Sequence, residues 1–112
     1  MTLRLVVLLS GTGSNAADLL NRLDDRANGV DASVVAMGSD VEAPGLRHAQ
    51  QRGIPTFVVP LERGANRELW GQRLIDAIDP YSPDLVILSG FMRLLPASVV
   101  EHYSPHLWNT HP

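Results

Sequence analysis

The first apolar segment and the turn after it read Leu3-Arg4-Leu5-Val6-Val7-Leu8-Leu9-Ser10-Gly11-Thr12-Gly13-Ser14-Asn15. Residues 3–9 are almost entirely apolar, which predicts a buried β-strand. Apolar residues then recur at helical spacing, at Ala16, Leu19, Leu20, Leu23 and Ala27. Gly29 is a residue that can end such a helix. A buried strand, a glycine-rich turn and an amphipathic helix indicate the first unit of an α/β protein.

The alternation of strand and helix continues along the rest of the sequence. Further strands are predicted at residues 32–37, 56–59, 85–88 and 107–109. Between them, helices are predicted from Pro44 to Gly53, along the stripe Trp70, Leu74, Ala77 and Ile78, and over residues 96–103. Apolar strands separated by helices predict a mainly parallel sheet covered by helices on both faces. We therefore expect a single Rossmann-like, doubly wound α/β domain over residues 1–112.

The composition excludes several kinds of chemistry. All nine basic residues are Arg, so Schiff-base chemistry and a P-loop lysine are excluded, and the absence of Cys excludes disulfides, thiol catalysis and thiolate metal sites. The net charge of −3 gives no general attraction to nucleic acid or anionic membranes. No segment has the length of a membrane helix or the pattern of a secretory signal, so we expect a cytoplasmic protein.

The glycine-rich turn is predicted to bind a phosphate group. Gly11 and Gly13 permit a tight turn and close approach of a ligand to the backbone, and the helix start offers N–H groups and a positive dipole end. The alternative is a plain turn in which Ser14 or Asn15 caps the helix. A second alternative is a nucleotide-binding or dinucleotide-binding module for NAD or NADP, since residues 11–16 fit the G-x-G-x-x-A pattern. Asp40, near the end of the second strand, would then contact the ribose.

A second candidate site lies at the other end of the sequence, in Asn109-Thr110-His111-Pro112. Alternate residues of a strand point to the same face, so Asn109 and His111 would lie together. An amide donor beside an imidazole can polarise a carbonyl and move a proton. The carboxyl ends of parallel strands meet at one edge, where residues 10–15, 89–95 and 109–111 would form the ligand site.

Several other residues receive simpler interpretations. His48 is expected to be exposed on the second helix, and no carboxylate joins the histidines at ligand spacing, so no metal site is expected. Trp108 is expected in the core. Phe91 and Met92 are expected to be packing residues, and the alternative for Arg93 is a solvated side chain.

Four separated motifs resemble glycinamide ribonucleotide formyltransferase, and the resemblance runs from Leu5 to Pro112. They are Val6-Val7-Leu8-Leu9-Ser10-Gly11-Thr12-Gly13-Ser14-Asn15, Gly53-Ile54-Pro55-Thr56, Pro83-Asp84-Leu85-Val86-Ile87-Leu88-Ser89-Gly90-Phe91-Met92-Arg93-Leu94-Leu95 and Asn109-Thr110-His111-Pro112. That family transfers a formyl group from 10-formyltetrahydrofolate to the amine of glycinamide ribonucleotide in purine synthesis. Other formyl-transfer families share the Asn-x-His-Pro pattern but lack the G-x-G-S-N loop, so the loop favours the phosphoribosyl substrate.

The resemblance implies a role for each matching residue. Gly13, Ser14 and Asn15 would hold the substrate phosphate. The folate would be bound by Arg67, Met92, Arg93, Leu94, Leu95 and Asn109. Asn109 and His111 would be catalytic and stabilise the oxyanion, while Pro112 would shape the substrate side.

Departures from the family pattern limit these expectations. The family continues past Pro112 and takes a catalytic Asp from that later part, so the chain resembles an amino-terminal part with poor activity of its own. Trp70-Gly71 replaces the usual Phe-Asp, which weakens the role carried over to Arg67, and Thr110 replaces an aliphatic residue. The expected partners are the two small-molecule substrates, with no nucleic acid and no membrane. The oligomeric state stays open, with a homodimer as one alternative.

Overall fold

The structure, a computed structural model, describes residues 2–24, 29 and 31–109. In this part of the chain the strands are β1 (Leu3–Leu8), β2 (Ala32–Ser39), β3 (Thr56–Val58), β4 (Leu85–Leu88) and β5 (Leu107–Asn109). The α-helices are α1 (Ser14–Asp24), α2 (Arg47–Gln50), α3 (Arg67–Ile78) and α4 (Ala97–Tyr103). The strands pair in parallel in the order β3-β2-β1-β4-β5, which confirms the predicted doubly wound α/β fold.

The predicted element bounds agree with the observed ones to within a few residues. Strands β4 and β5 have the predicted bounds, whereas β2 continues two residues further, to Ser39. The segment predicted as one helix after Pro44 is a 3-10 turn, Pro44–Leu46, followed by α2. The first helix begins at Ser14, and its predicted extension to Ala27 lies outside the described residues.

The sheet separates two apolar clusters. One lies against α1 and α2 and contains Leu5, Val7, Leu9, Ala16, Leu20, Val34, Met37, Ala43, Leu46, Ala49 and Ile87. The other lies against α3 and α4 and contains Val6, Leu8, Ala36, Val59, Trp70, Leu74, Ile75, Ile78, Val86, Val99 and Tyr103. Successive residues of β1 enter opposite clusters because strand side chains alternate between faces. Burial on both faces explains why the strand sequences are apolar throughout.

One row of the sheet defines the edge where the loops meet. Leu8 pairs with Gly38 on one side and with Leu88 on the other, and Leu88 pairs with Asn109. The loops after β1, β2 and β4 therefore leave the sheet at one level, beside the last residue of β5.

Trp108 corrects an expectation of the sequence analysis. Its side chain is 61% exposed, not in the core. It pairs with Ile87 across the sheet, but the cluster that contains Ile87 includes no described residue of β5. The tryptophan is exposed because β5 is the outer strand of this sheet.

Candidate functional site at the carboxyl edge of the sheet

The glycine-rich turn leads directly into α1. Gly11 and Gly13 have φ values of 84° and 69°, a conformation that glycine adopts without strain. The Gly13 carbonyl accepts a hydrogen bond from the Ala17 N–H at 2.8 Å, which makes Gly13 the cap. The hypothesis that Ser14 or Asn15 caps the helix is therefore wrong, because both lie in its first turn. The first N–H groups of a helix have no partner within the helix, so this turn offers donors to an anion.

The carbonyl groups of the turn are bonded to the protein. The Gly45 N–H donates to the Gly11 carbonyl at 2.9 Å. The His48 Nε2 lies 3.2 Å from the Thr12 carbonyl, and because a carbonyl only accepts, this nitrogen must carry the proton. A Cβ atom on Gly13 would lie 2.8 Å from the Gly45 Cα, so the two glycine backbones are in direct contact. This contact fixes the turn in place, and the Gly11 and Thr12 carbonyl groups already accept hydrogen bonds from the protein.

The loop of residues 89–95 packs beside this turn. The Ser10 N–H donates to the Gly90 carbonyl at 3.2 Å, and the Met92 N–H donates to the Ser10 hydroxyl at 3.2 Å. The side chains of Met92 and Leu94 are 80% and 84% exposed, while Leu95 packs against the cluster under α3 and α4. The expectation that Met92 is a packing residue is therefore wrong. The loop presents apolar side chains to the space at the carboxyl edge.

A buried carboxylate connects the two loops. Asp40 is 5% exposed and directly follows β2; it accepts hydrogen bonds from the Ser10 hydroxyl and from the Arg93 Nε, each at 2.8 Å. Burial by itself raises the pKa of this carboxyl. The hydrogen bonds from Arg93 and Ser10 and the charge of Arg93 outweigh burial and hold the pKa below its ordinary value of 3.8. Both oxygens are thus engaged inside the protein, which disfavours Asp40 as a ribose ligand, and Arg93 is paired rather than simply solvated.

Arg67 approaches the same loop from α3. Its Nη2 donates to the Leu94 carbonyl at 2.5 Å, and its guanidinium lies 6.0 Å from the centre of the Trp70 ring. Trp70 in turn stacks on Phe91, with ring centres 6.3 Å apart, so Phe91 is a packing residue as expected. Trp70 therefore supports Arg67 and the loop rather than displacing them.

Two openings flank the joined loops. One, of about 450 Å³, is lined by Leu61, Glu62, Arg63, Gly64, Ala65, Arg67 and Arg93. The other, of about 270 Å³, lies beside the first turn of α1 and is lined by Asn15, Asp18, Leu19, Arg22, Ile87 and Ser89. The first opening lies on the side predicted for the folate and the second on the side predicted for the phosphate.

The catalytic candidates are placed only in part. Asn109 ends β5 beside Leu88, with an exposed side chain. His111, Pro112 and Thr110 lie outside the described residues. The described residues thus bring Gly13, Ser14 and Asn15 to the same edge as the loop of residues 89–95 and Asn109.

Sequence reasoning missed the residues that support these loops. Ser10 and Gly45 carry no signal that separates them from ordinary turn residues. His48 is half-buried, not exposed as expected, because its ring lies against the Thr12 carbonyl; this contact spans 36 residues of sequence and no local pattern reports it. Residues 2–24, 29 and 31–109 contain no group of three or more His, Cys, Asp or Glu side chains placed to hold a metal ion. The helices in these ranges are all too short or too polar to cross a membrane.

Comparison with known proteins matches nearly the whole chain. A protein-family model described as formyl transferase matches residues 3–112. The phosphoribosylglycinamide formyltransferase of Escherichia coli strain K12 is 39% identical over 111 residues, which are 98% of this chain and 51% of that protein. The protein of the same name from Mycobacterium tuberculosis strain H37Rv is 40% identical over 110 residues, or 97% of this chain and 49% of that protein.

A solved structure agrees with the sequence matches. The phosphoribosylglycinamide formyltransferase of Coxiella burnetii superposes with a TM-score of 0.90 at 37% identity, covering 100% of this chain and 52% of that one. The chain thus spans about half the length of the relatives it matches.

Proposed function

Because this chain belongs to the formyl transferase family, we propose that it is part of an enzyme that transfers a formyl group to the amine of glycinamide ribonucleotide. The observation that carries the proposal is the direct contact between the two loops. Ser10 bonds to both Gly90 and Met92, so a phosphate at the glycine-rich turn and a folate at residues 89–95 would lie next to each other. A transfer reaction requires this proximity of its two substrates.

The phosphate of glycinamide ribonucleotide is bound by Gly13, Ser14 and Asn15 in this proposal. The support is the start of α1, whose N–H groups and positive dipole end favour an anion. The carbonyl groups of Gly11 and Thr12 accept hydrogen bonds from Gly45 and His48, so bonds within the protein offset their repulsion of an anion. The opening beside Asn15 leaves room for the ribose and the glycinamide group.

The formyl donor, 10-formyltetrahydrofolate, is a substrate and binds on the other side of the contact. Met92, Arg93, Leu94 and Leu95 line its pocket, largely through the backbone, and Arg67 holds the Leu94 carbonyl in place. Asn109 also contributes to this pocket. The opening lined by Arg67 and Arg93 is basic, which suits a carboxylate-bearing molecule. No metal ion takes part.

Asn109 and His111 stabilise the negative charge that develops on the formyl oxygen. The substrate amine attacks the formyl carbon, and the carbonyl oxygen becomes an oxyanion that accepts hydrogen bonds from Asn109 and His111. The bond from carbon to the folate nitrogen then breaks, and the proton of the attacking amine passes to the leaving nitrogen. Preorganised donors of this kind contribute about 3 kcal/mol each to transition-state stabilisation. Pro112 shapes the substrate side.

The chain supplies one α/β domain, residues 1–112, to a longer enzyme. The support is that it spans about half of each relative. The carboxy-terminal part would complete the folate pocket and the proton path, so the chain alone should bind phosphate but transfer formyl groups poorly. We place this enzyme in the cytoplasm, acting on small molecules without nucleic acid or membrane partners, in line with its net charge of −3.

Calorimetric titration of the purified chain with glycinamide ribonucleotide tests the proposal. We expect saturable binding that weakens about tenfold in Asn15→Ala, the equivalent of one charge-assisted hydrogen bond. Asn21→Ala, further along the same helix, is the matched control and should bind as the wild type does. A folded chain that binds NAD but not glycinamide ribonucleotide would contradict the proposal and favour a dinucleotide module.

A further inference from the structure

We propose that Asp40 is a positioning residue that holds the loop of residues 89–95 against the phosphate-binding turn, so that the pocket for the formyl donor is preformed. The inference rests on the proposed function, because that function makes the loop a ligand site. Asp40 touches neither substrate in this scheme. It acts through Ser10 and Arg93.

The first observation is that both oxygens of the Asp40 carboxylate accept hydrogen bonds within the protein. One oxygen accepts from the Ser10 hydroxyl and the other from the Arg93 Nε, both at 2.8 Å, and the residue is 5% exposed. An aspartate directly after β2 occupies the position from which dinucleotide-binding folds reach a ribose. Here the side chain is turned inward, towards two loops that come from other strands.

The second observation is that Ser10 transmits this contact to the backbone. A serine hydroxyl has one proton and two lone pairs. The proton is directed to Asp40, so a lone pair is available for the Met92 N–H, which lies 3.2 Å from the same oxygen. Asp40 thereby fixes the orientation of the hydroxyl that holds the Met92 amide.

The third observation is the position of Arg93. Its Nε bonds to Asp40 while the residue also lines the 450 Å³ opening, together with Arg67. The side chain is 43% exposed at this ion pair, against 4% for Asp40. The buried carboxylate therefore anchors one end of a guanidinium whose remainder faces the donor pocket.

Asparagine cannot replace Asp40 in this network, although it has the same shape. Its one side-chain oxygen can accept a hydrogen bond from Ser10 or from Arg93. Its amide nitrogen only donates, so it cannot accept the other of these two hydrogen bonds. Either the Arg93 Nε–H or the Ser10 hydroxyl proton then faces no acceptor. Asp40→Asn should therefore loosen the loop of residues 89–95 while leaving the volume of the core unchanged.

The decisive experiment compares Asp40→Asn with wild type in two ways. Without ligand, NMR follows the exchange of the Met92 amide and the Arg93 Nε–H with solvent. We expect exchange at the Met92 amide, the Arg93 Nε–H or both to accelerate at least tenfold more than exchange in the core strands at Val6 and Val86, which reports only the loss of global stability. With ligand, titration with 5-formyltetrahydrofolate should give a Kd raised about tenfold, while the Kd for glycinamide ribonucleotide changes less than twofold.

Two further variants make the result decisive. Ser10→Ala removes the acceptor of the Met92 amide by a small change that the fold should tolerate, and it should accelerate exchange at Met92 but not at the Arg93 Nε–H.

Asp79→Asn is the matched control: Asp79 also accepts from two side chains, Tyr103 at 2.8 Å and His102 at 3.0 Å, between α3 and α4. Asp79→Asn should leave the exchange rates of the Met92 amide and the Arg93 Nε–H, and the Kd values of both ligands, as in wild type.

The outcomes separate the two proposals. Unchanged exchange at Met92 and Arg93 in Asp40→Asn would overturn the positioning role, and so would equal acceleration in the core strands. If wild type does not bind glycinamide ribonucleotide, the proposed function fails for this chain. Whether or not either ligand binds, the exchange rates decide whether Asp40 holds the loop.

Discussion

The loop after β1 and the loop after β4 lie side by side, but the protein holds them by different kinds of contact. The glycine-rich turn, residues 10–15, rests on the backbone of another segment: the Gly45 amide bonds to Gly11, and the Gly13 and Gly45 backbones touch. The loop of residues 89–95 is held by polar side chains, with Asp40 acting through Ser10 and Arg93, and Arg67 bonding to the Leu94 carbonyl.

The difference predicts which kind of substitution should disrupt each loop. A contact between two backbones depends on shape, so it is insensitive to charge but tolerates no added atom. A contact through a buried carboxylate depends on charge and on matched donors, so a change of the same shape can disrupt it. The following variants attack each loop where its type of support is weakest.

The largest effect is expected for Gly45→Ala. The new Cβ would lie 2.8 Å from both the Gly13 Cα and the Gly13 N, and backbone atoms cannot rotate away. We expect a loss of about 3 kcal/mol in the free energy of unfolding, as for an overpacked core position. Urea denaturation measures this loss, and titration with glycinamide ribonucleotide should show binding weakened at least tenfold because the turn is displaced.

Gly53→Ala is the control for this substitution. Gly53 has a φ of 71°, but no atom lies within 4 Å of an added Cβ. Gly53→Ala should lose about 1 kcal/mol in the free energy of unfolding because of backbone strain, and it should keep its affinity for glycinamide ribonucleotide. Equal losses of affinity in the two variants would argue against a specific contact between Gly13 and Gly45.

An intermediate, pH-dependent effect is expected for Asp40→Asn. The pKa of Asp40 in the folded protein lies below 3.8, so the carboxylate stabilises the fold above pH 3.8 and loses this contribution as the pH falls through the folded-state pKa. At pH 7 the variant should be about 2 kcal/mol less stable than wild type. Denaturation at a series of pH values should show this difference shrinking below pH 3.8.

Asp18→Asn provides the comparison with an exposed ion pair. Asp18 and Arg22 form an i,i+4 pair at 3.2 Å, with side chains 67% and 74% exposed. Such pairs contribute well under about 1 kcal/mol, so this variant should differ little from wild type at pH 7. A loss as large as that of Asp40→Asn would show that net charge, rather than the buried network, sets the pH dependence.

The smallest effect is expected for His48, the side-chain contact of the backbone-held turn. Its bond to Thr12 is exposed, so His48→Ala should reduce the free energy of unfolding by less than about 1 kcal/mol. His48→Gln retains a donor and should recover the free energy of unfolding lost in His48→Ala, which urea denaturation would show. A loss in His48→Ala larger than in Gly45→Ala would reverse the comparison of backbone and side-chain support.

The elements were predictable because their signals are local. The apolar runs at β4 and β5 and the stripe of α3 mark these elements to within a few residues, since strand and helix periods appear directly in the sequence. Candidate residues at strand ends were predictable for a related reason, because a parallel sheet brings those ends to one edge. The roles of Asn109, His111 and the phosphate-binding residues stay predictions.

The positions of Trp108 and Met92 were not predictable in this way. Both are apolar, and the sequence analysis therefore assigned Trp108 to the core and Met92 to packing. Trp108 lies on the outer strand, and Met92 lies on a loop whose backbone is tied down while its side chain extends outward. Whether an apolar side chain is covered depends on what packs over it, which is not a local property.

The sequence by itself determined the alternation of strands and helices, the parallel sheet that follows from it, and the glycine-rich turn at the head of α1. Hydrophobic periodicity and glycine conformation act within a few residues, so they can be inferred without a structure. The tertiary structure alone decided that Asp40 faces Arg93, 53 residues away, and that Gly45 supports Gly13. These contacts join loops from different strands, and only the folded sheet fixes the distance between them.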